Sequence, residues 1–322
     1  MVALLAAATP ALHAQSLPGE QYTPPRTPHG HPDLQGIWSN AVITPLERPP
    51  EFADRAFLTE DEAREYERQR LEATNRDRRQ ADLDADIRLA YNDFWWDSGT
   101  NVVATRRTSL IIDPPDGRIP PLTAAARQRV ESEPNRRGIE FTDGPEDRPL
   151  MERCIHFGSA GPPMMPSAYN NNYHLVQTKD YVLIVNEMIH EARIIPLYDK
   201  PQLPQHARQW LGSSRGHWEG DSLVIETTNF TDQISFRGSS ENMHLTERFT
   251  RIADNILLYE FTVTDPDAFT RPWTAQIPSV KVDGLMYEYA CHEGNKGMLG
   301  ILSGARAAER AAQEDVKSTE RE

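Results

Sequence analysis

The sequence predicts a mainly β fold, an antiparallel barrel decorated with helices. Three features carry that expectation. From Tyr169 onward the chain divides into strand-like runs at residues 173–178, 181–187, 192–197, 222–230, 243–252, 256–264 and 270–277. These runs alternate apolar and polar residues, so each can bury one face. Their connections are short and rich in Gly, Asp and Asn (Lys179-Asp180, Glu219-Gly220-Asp221, Ala253-Asp254-Asn255), as consecutive antiparallel strands require. A meander of this kind either closes on itself or exposes its edges, and closure is the expectation.

The remaining elements follow in chain order. Residues 1–14 form a short apolar stretch with a plausible signal-peptidase cut after Ala14, too short to span a bilayer. Its positively charged n-region is missing, which points to a start inside a longer leader. Residues 15–35 are a Pro-rich arm (Pro24, Pro25, Pro28, Pro32), and Gly36-Ile37-Trp38 opens a first strand. A single domain spans 36–322, with a helical insertion at about 55–135. Within it, Thr59-Glu60-Asp61-Glu62 is a capping box that opens a charged helix to about residue 80. Asp82, Asp84 and Asp86 lack the glycine and terminal glutamate of a calcium loop. Residues 109–113 read as a short strand ended by Pro114-Pro115-Asp116-Gly117, and Thr123 caps a short helix. An Ala/Arg/Glu-rich helix occupies about 299–314.

Composition excludes some functions. With 34 basic and 48 acidic residues the net charge is −14, and no basic run interrupts it. Phosphate-backbone binding needs clustered Lys and Arg, so nucleic acid is not an expected partner. No later apolar stretch is long enough for a membrane span. The mature protein is therefore expected to be periplasmic or secreted. The two cysteines, Cys154 and Cys291, can pair in an oxidising compartment; the alternative is two buried thiols, or one reactive one.

The densest chemistry lies in Tyr287-Glu288-Tyr289-Ala290-Cys291-His292-Glu293-Gly294-Asn295, which reads either as part of a site or as half a disulfide followed by a polar loop. Alternation places Glu247 on the apolar face with Met243, Leu245 and Phe249, where a carboxylate must be paired, hydrogen-bonded or protonated. Leu223, Ile225 and Thr227 form a similar face that ends in Asn229. Glu187, His190 and Arg193 surround a bend between strands, and a histidine held by a carboxylate beside an arginine is a unit of acid–base chemistry. Phe94-Trp95-Trp96 is an aromatic cluster suited to plugging a core or lining a cleft. Several histidines have a nearby glutamate, but no zinc spacing is present, so neither metal nor cofactor is expected. Glycine patterns for phosphate loops, dinucleotide folds and a Gly-x-Ser-x-Gly elbow are also missing.

Several blocks resemble a large group of uncharacterised exported bacterial proteins. They are Asp33-Leu34-Gln35-Gly36-Ile37-Trp38, the segment 113–121, Glu152-Arg153-Cys154 with Tyr169-Asn170-Asn171, Arg215-Gly216-His217-Trp218-Glu219-Gly220-Asp221-Ser222-Leu223, and Tyr289-Ala290-Cys291-His292-Glu293-Gly294-Asn295. Gly36 and Trp38 are similar to the Gly-x-Trp of the first strand of lipocalin-like barrels, and the hairpin at 218–224 is similar to turns in those folds. The resemblance implies a lipocalin-like barrel with its site in the interior. The chain is much longer than a typical lipocalin and inserts a charged helical segment after the first strand.

The sequence thus supports a cofactor-independent acid–base enzyme (lyase, isomerase, cyclase or hydrolase) acting on a small molecule inside the barrel. His190 or His292 would serve as base, Glu187 or Glu247 as acid or orienting group, and Arg193 and Asn295 as anion contacts. Trp96, Asn229, Tyr259 and Tyr289 would hold the substrate. The alternative is a non-catalytic periplasmic carrier of an apolar small molecule, with a mostly apolar interior and every charge paired. A third reading, an envelope interaction module, requires an exposed apolar patch instead.

Overall fold

The structure is a computed structural model that describes residues 22–319, apart from 76, 80, 90–95, 133–140, 199–200, 202 and 205. The leader at 1–14, the start of the arm, and Phe94 and Trp95 lie outside the described residues.

The fold is mainly β, as expected. It is built on one ten-stranded antiparallel sheet: β1 (Gly36–Ser39), β2 (Ile111–Asp113), β3 (Asn172–Gln177), β4 (Tyr181–Asn186), β5 (Ala192–Pro196), β6 (Ser213–Glu219), β7 (Ser222–Thr228), β8 (His244–Ala253), β9 (Ile256–Thr264) and β10 (Trp273–Val282). The order is β5-β4-β3-β1-β10-β9-β8-β7-β6, with β2 paired to β10 beside β1. The helices are α1 (Glu60–Thr74), α2 (Leu83–Leu89), α3 (Ala124–Ser132) and α4 (Lys296–Thr319). The Thr59 capping box forms as expected, with Glu62 N donating to Thr59 Oγ1 and Thr59 N to Glu62 Oε2. The expected helical insertion is only partly helical, because residues 96–122 form loops and β2 between α2 and α3.

Period-two alternation is strict where it matters. Along β8 and β9 every second residue is buried, and Leu245, Glu247, Phe249, Leu257, Tyr259, Phe261 and Val263 are fully so. The inward faces of the other strands add Trp38, Leu175, Ile184, Ile195, Leu223, Ile225, Trp273 and Ile277, all inaccessible to solvent. Aromatic contacts run through this interior from Tyr173 to Phe249, Tyr259, Phe261 and Trp273, with centroids 4.8–6.5 Å apart. Side chains therefore fill the concave face of the sheet, as in other small rolled sheets. The interior expected to hold the ligand is lined by these side chains.

The hydrogen-bonded ladder does not close into a barrel, since no pairing joins the end strands β5 and β6 among the described residues. These strands still meet through side chains. A Cβ on Gly216 would lie 2.8 Å from Leu197 Cδ2 and 3.2 Å from Ile195 Cγ2, so this glycine leaves the room that lets β5 approach β6. Arg193 of β5 spans the same gap to reach β6, β7 and β8.

The two ends of the rolled sheet differ. At one, tight turns join β3 to β4, β6 to β7 and β8 to β9, and the Pro-rich arm lies across it. There His31 stacks on Trp218 at 4.8 Å and Arg26 pairs with Asp221 at 2.6 Å. The other end carries the longer connections: residues 40–46, 165–171, 187–191 and 229–243. Cys154 and Cys291 form a disulfide, which ties the segment after β10 to the loop before β3.

Candidate functional site

At the end with the longer connections lies a cleft of about 330 Å³, within the usual range for small-molecule sites. Its walls come from the segment Val42–Leu46 after β1, from Leu110 before β2 and from Met165–Ala168 before β3. Trp96 closes one side, and Arg70 of α1 and Arg237 of the β7–β8 connection complete it. Leu46 and Met165 pack on the main core and Leu110 belongs to it, so the floor is continuous with the rigid sheet.

Trp96 also begins an aromatic path. Its ring meets Tyr169 edge-on at 6.2 Å, and Tyr169 stacks on Tyr289 at 6.5 Å. Tyr169, Tyr289 and Phe157 cover a small second core of Ala160, Met188 and Ile189. This core sits under the β4–β5 turn, where Ile189 and His190 both have left-handed backbones (φ 51° and 43°). A β-branched residue in that region is strained by roughly 1–3 kcal/mol, and burial of Ile189 holds it there.

The sequence-derived residues divide among three places. The first is the turn: Glu187 is buried and accepts from Asn172 N and Nδ2 (3.3 and 2.9 Å), while His190 is exposed and contacts the Tyr289 carbonyl through Nδ1 at 3.1 Å. The second is the sheet interior. Glu247 points inward, as alternation required, and receives both Arg193 Nη1 (3.0 Å) and Nη2 (2.5 Å). The Tyr259 hydroxyl donates to Glu247 at 2.8 Å and accepts from Met164 N at 3.1 Å, and Arg193 also reaches Ser214 and Thr227. Burial raises the Tyr259 phenol well above its ordinary value, and the Glu247 carboxylate adds to that. Arg193 stays charged, because attraction to Glu247 outweighs a large desolvation penalty.

The third place is the strap after β10. His292 is exposed, and Asn295 donates to Glu152 O at 3.2 Å and to Cys154 Sγ at 3.7 Å. The bland reading of this run, half a disulfide followed by a polar loop, is the one its geometry matches. Asn229 lies elsewhere, with a left-handed backbone (φ 60°) and its side chain bonded to the carbonyls of Leu203 and Pro204. The proposed catalytic groups therefore do not converge. Of the proposed substrate contacts, Trp96 and Tyr289 share one aromatic path, whereas Tyr259 belongs to the interior network.

Sequence reasoning missed Arg70, Arg237, Met165, Tyr169 and His156. His156 sits in the loop between Cys154 and Ala160, and burial lowers its imidazole pKa to about 4. Among the described residues its Nδ1 has no hydrogen-bond partner, and nor does Ser159 Oγ in the same loop. Arg237 had a local signal, because Ser235-Phe236-Arg237-Gly238-Ser239 reads as a turn. Arg70 had none, being one of several arginines on a charged helix.

Among the described residues no group of three or more His, Cys, Asp or Glu side chains is placed to hold a metal ion, and no helix is long and apolar enough to cross a membrane. No protein-family model matches the chain, and no curated protein matches it either.

Proposed function

We propose that this chain is an exported, non-catalytic carrier of a small apolar molecule, held in the cleft beside Trp96 rather than inside the sheet. One observation carries the reading. The 330 Å³ cleft has apolar and aromatic walls set on the rigid core, at the end of the sheet where the longer connections gather. Sites of this kind are mostly apolar with a few polar groups at the rim. The disulfide fits an oxidising compartment outside the cytoplasm. The acid–base reading draws less support, because Glu247 and Arg193 satisfy each other away from solvent while His190 and His292 lie apart from them.

The test is a fluorescence titration with N-phenyl-1-naphthylamine, a neutral probe with a flat apolar body. Saturable binding is expected, weakened about 5–15-fold by Trp96→Ala, which removes an aromatic contact worth roughly 1–1.5 kcal/mol. A folded protein that shows no saturable binding, or whose affinity ignores Trp96→Ala, removes the reading.

A further inference from the structure

We propose that the ligand of the Trp96 cleft is a small organic anion, a flat apolar body bearing one acidic group, whose charge is held jointly by Arg70 and Arg237. This rests on the carrier reading above and adds the chemical class of the ligand.

The argument starts from how this chain uses its arginines. Carboxylates outnumber basic side chains 48 to 34, so an arginine readily finds an acidic partner. On α1, Arg64 pairs with Glu60 and Asp61, and Arg68 pairs with Glu65 and Glu72. Among the described residues Arg70 meets no carboxylate. Its neighbours one turn away are Tyr66, Glu67 and Thr74, and Glu67 is already committed to the backbone amide of Val102 at 2.9 Å. Arg237 likewise meets no carboxylate among the described residues. Both arginines line the same cleft. The neighbouring cleft of about 490 Å³, between α1 and β10, differs: its Arg64 is bound by carboxylates and its Arg106 donates to the Leu58 carbonyl.

Arg237 is also presented rather than left loose. Its backbone is left-handed (φ 58°), a conformation that costs a non-glycine residue roughly 1–2 kcal/mol. The residues on either side hold it there. Phe236 stacks on Trp273 at 5.9 Å, and its backbone exchanges hydrogen bonds with Ser239, through Phe236 N to Ser239 Oγ (2.8 Å) and Ser239 N to Phe236 O (3.1 Å). Two guanidinium groups from distant parts of the chain therefore line one apolar cleft. An anion bound there gains charge-assisted hydrogen bonds from them. The apolar floor and the Trp96 indole would take the uncharged body.

The experiment compares two probes with nearly the same apolar body, 1-anilinonaphthalene-8-sulfonate and neutral N-phenyl-1-naphthylamine. The sulfonate is expected to bind at least tenfold more tightly, and Arg70→Gln with Arg237→Asn should abolish that preference. Asparagine tolerates the left-handed backbone, so the turn is kept. Any loss of affinity for the neutral probe in the double variant should be smaller than the loss for the sulfonate. If the neutral probe binds in a Trp96-dependent way but the sulfonate binds no tighter, the anion proposal fails and the carrier reading stands. A sulfonate preference that survives loss of both arginines also overturns it. If neither probe binds the folded protein, both fall together.

Discussion

The Arg193–Glu247 pair makes a sharp energetic prediction, because both members are almost wholly buried (side chains 3% and 0% exposed). Arg193→Met would leave the Glu247 carboxylate in the core with only the Tyr259 hydroxyl as a donor. Removing one member of such a pair strands the other charge and typically costs about 3–5 kcal/mol. Glu247→Leu would strand the guanidinium at similar cost. The double variant strands neither charge, and isosteric apolar replacement of a buried pair is often neutral or stabilising. Its cost should stay below about 2 kcal/mol, mainly from the unpaired Tyr259 hydroxyl. The coupling energy is therefore expected to exceed about 4 kcal/mol. In thermal melts each single variant should lose roughly 6–20 °C, at about 2–4 °C per kcal/mol. Urea denaturation of wild type, both single variants and the double closes the cycle, with m-values checked for constancy. Additive single variants, or singles that each cost less than about 1 kcal/mol, would refute the claim that this pair ties β5 to the β6–β8 side across the gap.

Three further outcomes are expected. His156 has its pKa lowered to about 4 from an ordinary 6.5, so the unfolded chain binds the extra proton; the resulting stability is complete above pH 6.5 and is lost as pH falls towards 4. That loss amounts to roughly 3 kcal/mol, so the stability difference between wild type and His156→Gln, read from urea midpoints, should shift against wild type across that window and stay flat above it. Reduction of Cys154–Cys291, or Cys291→Ser, opens a loop of 137 residues and should lower stability by up to about 5 kcal/mol; limited proteolysis should then cut first within 283–295, and cutting that remains insensitive to reductant would count against the strap description. Gly216→Val places a side chain against Leu197 and Ile195 and should cost roughly 1–3 kcal/mol by overpacking, whereas the same change at Gly220, where an added Cβ meets nothing, should cost less apart from its backbone strain (φ 58°). A Gly216→Val loss below about 1 kcal/mol would show that β5 and β6 are not pressed together there.

The strands were the most legible part of the sequence, because period-two burial is a one-dimensional signal. The run 256–264 matches β9 at both ends, and 181–187 and 192–197 miss β4 and β5 by one residue. β6 was seen only as the start of the 218–224 hairpin. Ser213, Ser214 and Gly216 give it no apolar face to read, since the face it presents is an absence of side chain filled by β5. The run 270–277 stops short of β10, which continues through Pro278 to Val282, although proline is rare in a central strand. Its missing N–H falls on the edge that Gln276 N uses to reach Leu110 O, in the gap between the β2 and β1 pairings, so no ladder bond is lost. Local pattern cannot reveal which distant segment leaves such a gap.

The same limit explains the site. Alternation put Glu247 inside, which was right, but pairing it with Arg193 depends on how far the sheet rolls, and that is set jointly by Gly216 and the β5 side chains. Once the roll is tight enough for Arg193 to cross it, buried aromatic and aliphatic side chains surround the ion pair. The cleft lies instead where the sheet stops and its connections continue. At that end the chain has set Trp96, Met165 and Leu110 as an apolar surface, with Arg70 and Arg237, which meet no carboxylate among the described residues, beside it. In a protein with this excess of carboxylates, two such arginines at an apolar cleft suit the anionic ligand proposed above. The opposite end is instead sealed by short turns and by His31 on Trp218.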